Sequence, residues 1–217
     1  MSVRLAVFDC DGTLVDGQAA VCNAMEAAFA GSGLPLPDRH AVRRAVGLSL
    51  PQAIRLLVPQ ESEATRGEID RLYRDSFRAA RESGALVEPL YDGIADLIAH
   101  LKAAGWQLGV ATGKSDRGLA HCLATHGLTE QFSSLQTADR HPSKPHPAML
   151  EAAMDDCLAL PEHTVMIGDT QYDVAMARTI GVRAIGVDWG YHTPDDLIAA
   201  GADAVATSPA HLLELLS

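Results

Sequence analysis

Val3-Arg4-Leu5-Ala6-Val7-Phe8-Asp9-Cys10-Asp11-Gly12-Thr13 is the stretch on which the fold turns. Residues 3–8 are apolar apart from Arg4 and run straight into a turn-forming segment, so they predict a short buried strand. Asp9 and Asp11 stand two apart at its carboxyl end, so both side chains can point the same way. Gly12 then lets the chain turn sharply. Four more short apolar runs follow the same design, at 108–111, 164–167, 183–187 and 204–206. Segments of helical period separate them. Ile94, Leu97, Ile98 and Leu101 fall at i, i+3, i+4 and i+7, one face of a helix that Gly105 ends. Strand and helix in alternation predict an α/β fold, a doubly wound, Rossmann-like parallel sheet covered on both faces.

One region breaks the alternation. Residues 17–83 contain no strand candidate. An Ala-rich helical segment over 18–30 ends at Gly31-Ser32-Gly33. Asp38 is placed to cap a short helix reaching Val46, and another helix follows Leu50. Ile69, Leu72, Tyr73 and Phe77 make a further helical stripe. The insertion is too long for a loop. It predicts a small all-helical domain at 17–83, set into a core formed by 1–16 and 84–217, with linkers at 15–18 and 84–89.

In an open parallel sheet, ligands bind beyond the carboxyl ends of the strands. The residues there are Asp9 and Asp11, then Thr112-Gly113-Lys114-Ser115, then Gly168-Asp169-Thr170 with Asp173 close behind. Lys144-Pro145 precedes the strand at 164–167. Four carboxylates at one edge repel. A pair 4 Å apart costs about 4 kcal/mol at an effective dielectric near 20. Such a cluster calls for a hard divalent cation, and Mg²⁺ typically takes one or two carboxylates plus substrate phosphate. Lys144 adds positive charge and Thr112 a hydroxyl donor. The sum is a phosphate site with a carboxylate ready to act as nucleophile. Each part alone has an ordinary explanation: surface carboxylates, a turn, a helix cap at Thr112, a solvated lysine. The combination carries the argument, because every part falls where the fold puts ligands.

The chain has 217 residues with 28 Asp and Glu against 17 Lys and Arg, a formal net charge of −11. That excludes a general nucleic-acid binder, which needs a basic face. It equally excludes adhesion to anionic lipid. Hydrophobic residues at 47% and charged ones at 21% describe a globular chain. No apolar run reaches the roughly 18–20 residues that span a membrane. Met1-Ser2-Val3-Arg4 leads directly into the first strand without the pattern of a signal peptide. Cys10, Cys22, Cys122 and Cys157 lack metal-ligand spacing and read as free thiols of a cytoplasmic protein.

Phe8-Asp9-Cys10-Asp11-Gly12-Thr13-Leu14-Val15-Asp16 closely resembles the first motif of the haloacid dehalogenase-like superfamily of phosphohydrolases. Thr112-Gly113-Lys114 resembles its second motif and Lys144-Pro145-His146-Pro147 its third. Gly168-Asp169-Thr170-Gln171-Tyr172-Asp173 resembles its fourth. A helical insertion straight after the first motif, and the tail Gly186–Asp203, are similar to the phosphoglycolate phosphatase-like subfamily. The resemblance implies roles. Asp9 would attack phosphorus and carry an aspartyl-phosphate. Asp11 would protonate the leaving oxygen and then activate water. Thr112 and Lys144 would hold phosphoryl oxygens, with main-chain donors near Gly113 and Asp11. Asp169 would bind Mg²⁺ together with the Asp9 carboxylate and the Asp11 carbonyl. Asp173 would orient Lys144 or the metal's waters.

Within the superfamily, the acid at Asp11 argues against a dehalogenase. A phosphonatase uses a cap lysine, and residues 17–83 contain none. Asp16-Gly17-Gln18 departs from the family's usual Asp-Ser or Asp-Thr at the hinge. Cys10 replaces the commoner Leu or Met between the aspartates and is expected to be a buried, inert thiol.

The cap is expected to supply substrate contacts through the turn 43–49. There Gly47 could bring backbone close to substrate, and Arg43 or Arg44 could meet a second anionic group. The same arginines also fit a solvated helix face. His141, His146, His163 and His192 have no part in such a mechanism. Trp106 is expected to pack, and Trp189 and Tyr191 to line the rim of the cleft. The expected protein is a Mg²⁺-dependent phosphatase of a small phosphorylated metabolite, a monomer or weak homodimer. A β-phosphoglucomutase-like phosphomutase shares every core motif. A receiver-like phosphoacceptor switch also uses an Asp, a Thr, a Lys and Mg²⁺, but has no use for Asp11 or a cap.

Overall fold

The computed structural model describes residues 3–217; Met1 and Ser2, and with them part of the reading of the N-terminus, lie outside the described residues. Six strands form one parallel sheet: β1 (Leu5–Phe8), β2 (Gln107–Thr112), β3 (Ser134–Thr137), β4 (Thr164–Gly168), β5 (Arg183–Val187) and β6 (Ala204–Ala206). Their order is β3-β2-β1-β4-β5-β6. The direction of winding reverses between β1 and β4, which are paired Leu5 to Thr164 through Phe8 to Ile167. That is the switch point at which doubly wound sheets open a crevice.

Side chains of β1 alternate between two cores, as the period of two requires. Ala6 and Phe8 pack with α5 (Ile94–Ala103), α6 (Asp116–Thr125) and α10 (Pro209–Leu216). Leu5 and Val7 pack on the other face with α7 (Ala148–Cys157), α8 (Gln171–Thr179) and α9 (Pro194–Ala199). All four β1 side chains are fully buried, which explains the unbroken apolar run.

The sequence reading missed β3. Its four residues, Ser-Leu-Gln-Thr, show no apolar run. Ser134 and Gln136 are nevertheless buried, because both donate to Asp156 Oδ2 on α7 at 2.7 Å. A polar strand can be buried when its partners are supplied from elsewhere in the chain.

Between β1 and α5 lie four helices, α1 (Gln18–Gly31), α2 (Arg39–Ala45), α3 (Leu50–Leu57) and α4 (Glu63–Glu82). They enclose a core of their own from Val21, Cys22, Met25, Phe29, Val42, Ile54 and Ile69. Asp38 caps α2 by accepting from the His40 and Ala41 amides. Ser62 caps α4 by accepting from the Thr65 amide. Ion pairs three and four residues apart run along α4, Arg71 with Glu68 and Asp75 and Arg74 with Asp70. Such pairs favour an otherwise weakly apolar helix. Among the described residues, no helix is long and apolar enough to cross a membrane.

Candidate active site

The chain leaves β1 with the Asp9 amide still in the ladder, donating to Ile167 O at 2.9 Å. It then folds into a tight turn in which Cys10 O accepts from Leu14 at 2.9 Å and Val15 at 3.1 Å. Gly12 takes a positive φ of 80° there, and a Cβ on it would collide with the Asp169 carboxylate and the Tyr191 ring. Glycine is therefore required both for the turn and for the approach of β1's end to β4's end.

Three buried carboxylates meet at this edge. Oxygens of Asp9, Asp169 and Asp173 lie within 4.8 Å of one another. Lys144, itself fully buried, reaches in from the loop before α7 and sits 3.0 Å from Asp9 Oδ2 and 2.6 Å from Asp173 Oδ1. The carboxylates differ in how they are held. Asp173 accepts from Lys144 on one oxygen and from the Thr170 amide and hydroxyl on the other. Asp169 accepts from the Thr13 hydroxyl at 2.9 Å and from the Tyr191 amide at 2.8 Å. Asp9 accepts from the Cys10 amide on Oδ1, whereas its Oδ2 is buried without a hydrogen bond.

The electrostatics follow from that burial. Desolvation pushes the Asp9 carboxyl up to about 7, although the Lys144 charge works against it. Asp169 is also pushed well above the usual aspartate range, first by burial and then by the charges of Asp9 and Asp173. Burial alone would lower Lys144, yet Asp173 and Asp9 overcome it and hold the ammonium above its ordinary value. Three carboxylates against one ammonium leave an excess of two negative charges when all are ionised. A divalent cation fits the donor set, because the clustered side chains offer oxygen ligands and a surplus of negative charge.

Above the edge lies a cavity of about 440 Å³. Asp9, Asp11, Thr112 and Gly113 line its floor. The helical layer supplies apolar walls such as Met25, Val42 and Phe77, and Gly47 at the turn after α2. Gly113 lies so close beneath that turn that a Cβ on it would come within 2.5 Å of Leu48 O. Asp11 stands at the floor with Oδ1 2.9 Å from Lys114 Nζ, which also pairs with Glu88 at 2.7 Å.

All six core residues singled out from the sequence, Asp9, Asp11, Thr112, Lys144, Asp169 and Asp173, thus come to one edge of the sheet. The metal set that the resemblance implies is the Asp9 and Asp169 carboxylates with the Asp11 main-chain carbonyl, and the two carboxylates do lie together. The third carboxylate beside Asp9 and Asp169 is that of Asp173, while the Asp11 carboxylate turns to Lys114. Of the two readings of the cap arginines, the solvated helix face fits where they stand. Arg43 is exposed on α2, and Arg44 pairs with Asp196 at the start of α9; neither lines the cavity. The cavity's arginines are instead Arg74, Arg78 and Arg81 on α4 and Arg117 on α6.

Trp189 and Tyr191 also lie off the cavity. Trp189 donates its indole N–H to Thr13 O at 3.2 Å, and Tyr191 is buried beneath the turn. Trp106 packs against the sheet core and takes the Arg4 guanidinium on its ring. His192 is buried between Arg44 O and the Gln171 amide, a strut between layers, and no histidine lines the cavity among the described residues. Cys10 packs into the sheet core with its Sγ 3.7 Å from that of Cys122. Sequence reasoning also missed Lys114, Glu88 and Thr13. Lys114 stood inside a quoted motif, and its place directly after a strand-end Thr-Gly was the available signal.

The comparison with protein families supplies the class of protein that carries this fold and edge. Residues 6–187 match the family described as haloacid dehalogenase-like hydrolase, and the chain belongs to that family. The chain is 39% identical over 202 residues to a protein named Probable phosphatase IndB from Dickeya dadantii, covering 90% of this chain and 86% of that one. It is 31% identical over 217 residues to a Phosphoglycolate phosphatase of Chromobacterium violaceum, covering 99% and 96%. Among solved structures it superposes with a TM-score of 0.89 on a predicted phosphatase from Clostridium acetobutylicum. That match is 26% identical and covers 100% of this chain and 99% of the other.

Proposed function

We propose that this chain is a phosphatase that hydrolyses a small phosphate monoester of the phosphoglycolate type, through an aspartyl-phosphate on Asp9 and with Mg²⁺ as cofactor. One observation carries the reading. Among the three clustered carboxylates, only Asp9 lines the cavity, and its buried Oδ2 lies 3.0 Å from the Lys144 ammonium. The name of the Dickeya dadantii relative supports a phosphatase, and that of the Chromobacterium violaceum relative supports the phosphoglycolate type of substrate.

Asp9 Oδ2 attacks phosphorus as the ester P–O bond breaks, and the phosphoryl group moves to the carboxylate. Lys144 and Thr112 hold the phosphoryl oxygens while charge shifts among them. Asp11 gives its proton to the leaving alkoxide, then takes one from the water that attacks the acyl-phosphate. Release of phosphate restores the Asp9 carboxylate. Asp173 grips Lys144 at 2.6 Å and fixes where the ammonium points. Mg²⁺, when held by Asp9, Asp169 and the Asp11 carbonyl, supplies the positive charge that offsets the surplus of carboxylates. Residues 17–83 act as a lid on a core of 1–16 and 84–217, excluding water from the cavity.

The test compares the wild type with Asp9→Asn on p-nitrophenyl phosphate, with and without Mg²⁺. The wild type is expected to need the metal, and the variant to lose roughly 10⁴-fold or more in kcat. Metal-independent turnover, or an active variant, overturns the mechanism. Isomerisation of a sugar phosphate without net release of phosphate would move the chain to the phosphomutases. A stable acyl-phosphate without turnover would make it a phosphoacceptor switch.

A further inference from the structure

Arginines line the cavity from both layers. Arg74, Arg78 and Arg81 project from α4 in the helical layer, and Arg117 from α6 on the sheet. They are not equivalent. Arg74 is held by Asp70 at 2.6 Å and Arg78 by Asp75 at 2.5 Å. Lys114 is held by Asp11 and Glu88. Arg81 and Arg117 have no carboxylate within ion-pair distance among the described residues. Burial, and after it the charge of Arg117, keeps the Arg81 guanidinium below its ordinary value, although Glu88 and Glu82 work against the shift. Two like charges lining one cavity are unfavourable unless negative charge offsets them. The asymmetry stands out on a chain whose net charge is −11.

We propose that Arg81 and Arg117 form a second anion subsite, which takes a carboxylate or phosphate carried by the substrate at the end away from the reacting phosphoryl group. The proposal rests on the phosphatase reading and names the substrate class within it: monoesters with a second oxyanion. Guanidinium forks match either oxyanion with paired charge-assisted hydrogen bonds. Arg81 belongs to the helical layer and Arg117 to the sheet layer, so an anion between them ties the two together. Repulsion that opposes closure becomes attraction that favours it. A substrate lacking the second anion forgoes that contribution.

The experiment measures kcat/KM for 2-phosphoglycolate, for a sugar bisphosphate and for p-nitrophenyl phosphate. It uses the wild type, Arg81→Gln, Arg117→Gln and Arg81→Lys. The ratio of either doubly anionic substrate to the aryl ester is expected to fall about 10- to 100-fold in each Gln variant. Arg81→Lys should recover part of the loss. The larger fall identifies the second group as carboxylate or phosphate. A ratio unchanged within about two-fold in both Gln variants overturns the subsite. If Arg81→Gln fails to fold, Arg117→Gln reads the same subsite from the sheet side.

Calorimetric binding of 2-phosphoglycolate to Asp9→Asn, with and without Arg117→Gln, separates this proposal from the phosphatase reading. Weaker binding upon Arg117→Gln upholds the subsite even where no ester is hydrolysed. Equal binding overturns it even where p-nitrophenyl phosphate is turned over.

Discussion

The two walls of the cavity hold charge in opposite ways. At the sheet edge, Asp9, Lys144, Asp169 and Asp173 are all but sealed from water, at 0–1% exposure. Main-chain turns and mutual hydrogen bonds fix each of them. On the α4 wall, Arg74 and Arg78 remain 46% and 49% exposed, and local carboxylates hold them loosely. On the proposed mechanism, the contrast separates two tasks. Charge that must stabilise a transition state is worth most when it is dry and already oriented. Charge that selects among substrates can remain hydrated, because it needs only to discriminate. The sheet edge should therefore be intolerant of substitution, and the helical wall tolerant.

The strongest attack on that contrast is Lys144→Met. It leaves Asp9 and Asp173 buried without their shared cation. Removing one partner of a buried ion pair typically costs about 3–5 kcal/mol. Urea unfolding in the presence of a chelator should register a loss of that size. A loss below about 1 kcal/mol, the range of an exposed pair, would mean that the edge is as forgiving as the wall.

A smaller effect probes where the two regions touch. Gly113→Ala directs a methyl group at Leu48 O, 2.5 Å from the ideal Cβ position. A backbone carbonyl cannot swing aside as a side chain can, so the turn at 47–49 must sit higher. Overpacking of this kind costs about 1–3 kcal/mol. If closure over substrate requires the present fit, the KM for p-nitrophenyl phosphate should rise roughly 5- to 140-fold, at about 1.4 kcal/mol per tenfold. An unchanged KM would show that the contact has no bearing on binding.

The same contrast explains what could be read from the chain. Strand-end residues are legible because a short apolar run fixes where the strand stops, and the fold fixes what the next residues face. Asp9, Thr112 and Asp169 needed only that rule. β3 hid because its buried Ser134 and Gln136 are satisfied by Asp156, some twenty residues downstream. The helical wall hid for another reason. Periodicity identified the apolar stripe of α4, Ile69 to Phe77, but not which flanking arginines turn toward the sheet. That depends on how the helical layer is seated, and seating is decided by contacts distant in sequence. Arg44 and Asp196, 152 positions apart, are one such contact.

That pair provides the smallest and most discriminating test. Arg44 sits on α2, Asp196 on α9, and their side chains remain 32% and 28% exposed. The Arg44 hydrogen bond, then those from the Thr193 side chain and amide, hold the Asp196 carboxyl well below the usual aspartate value. A carboxyl whose folded value is depressed contributes stability that is fully present above its unfolded value, about 3.9. That contribution is lost only as pH falls through the lower, folded value. The tie should therefore be as strong at pH 5 as at pH 7. Exposure and salt keep it small, within about 1 kcal/mol. The Tyr172 hydroxyl and His192 ring meet Arg44 through its main-chain carbonyl and survive Arg44→Ala. A double-mutant cycle of Arg44→Ala and Asp196→Asn should give the same modest coupling at both pH values, and a lower one in high salt. Coupling that disappears between pH 7 and pH 5 would show that Asp196 is not held ionised by Arg44. The seating of the helical layer would then rest on Tyr172 and His192.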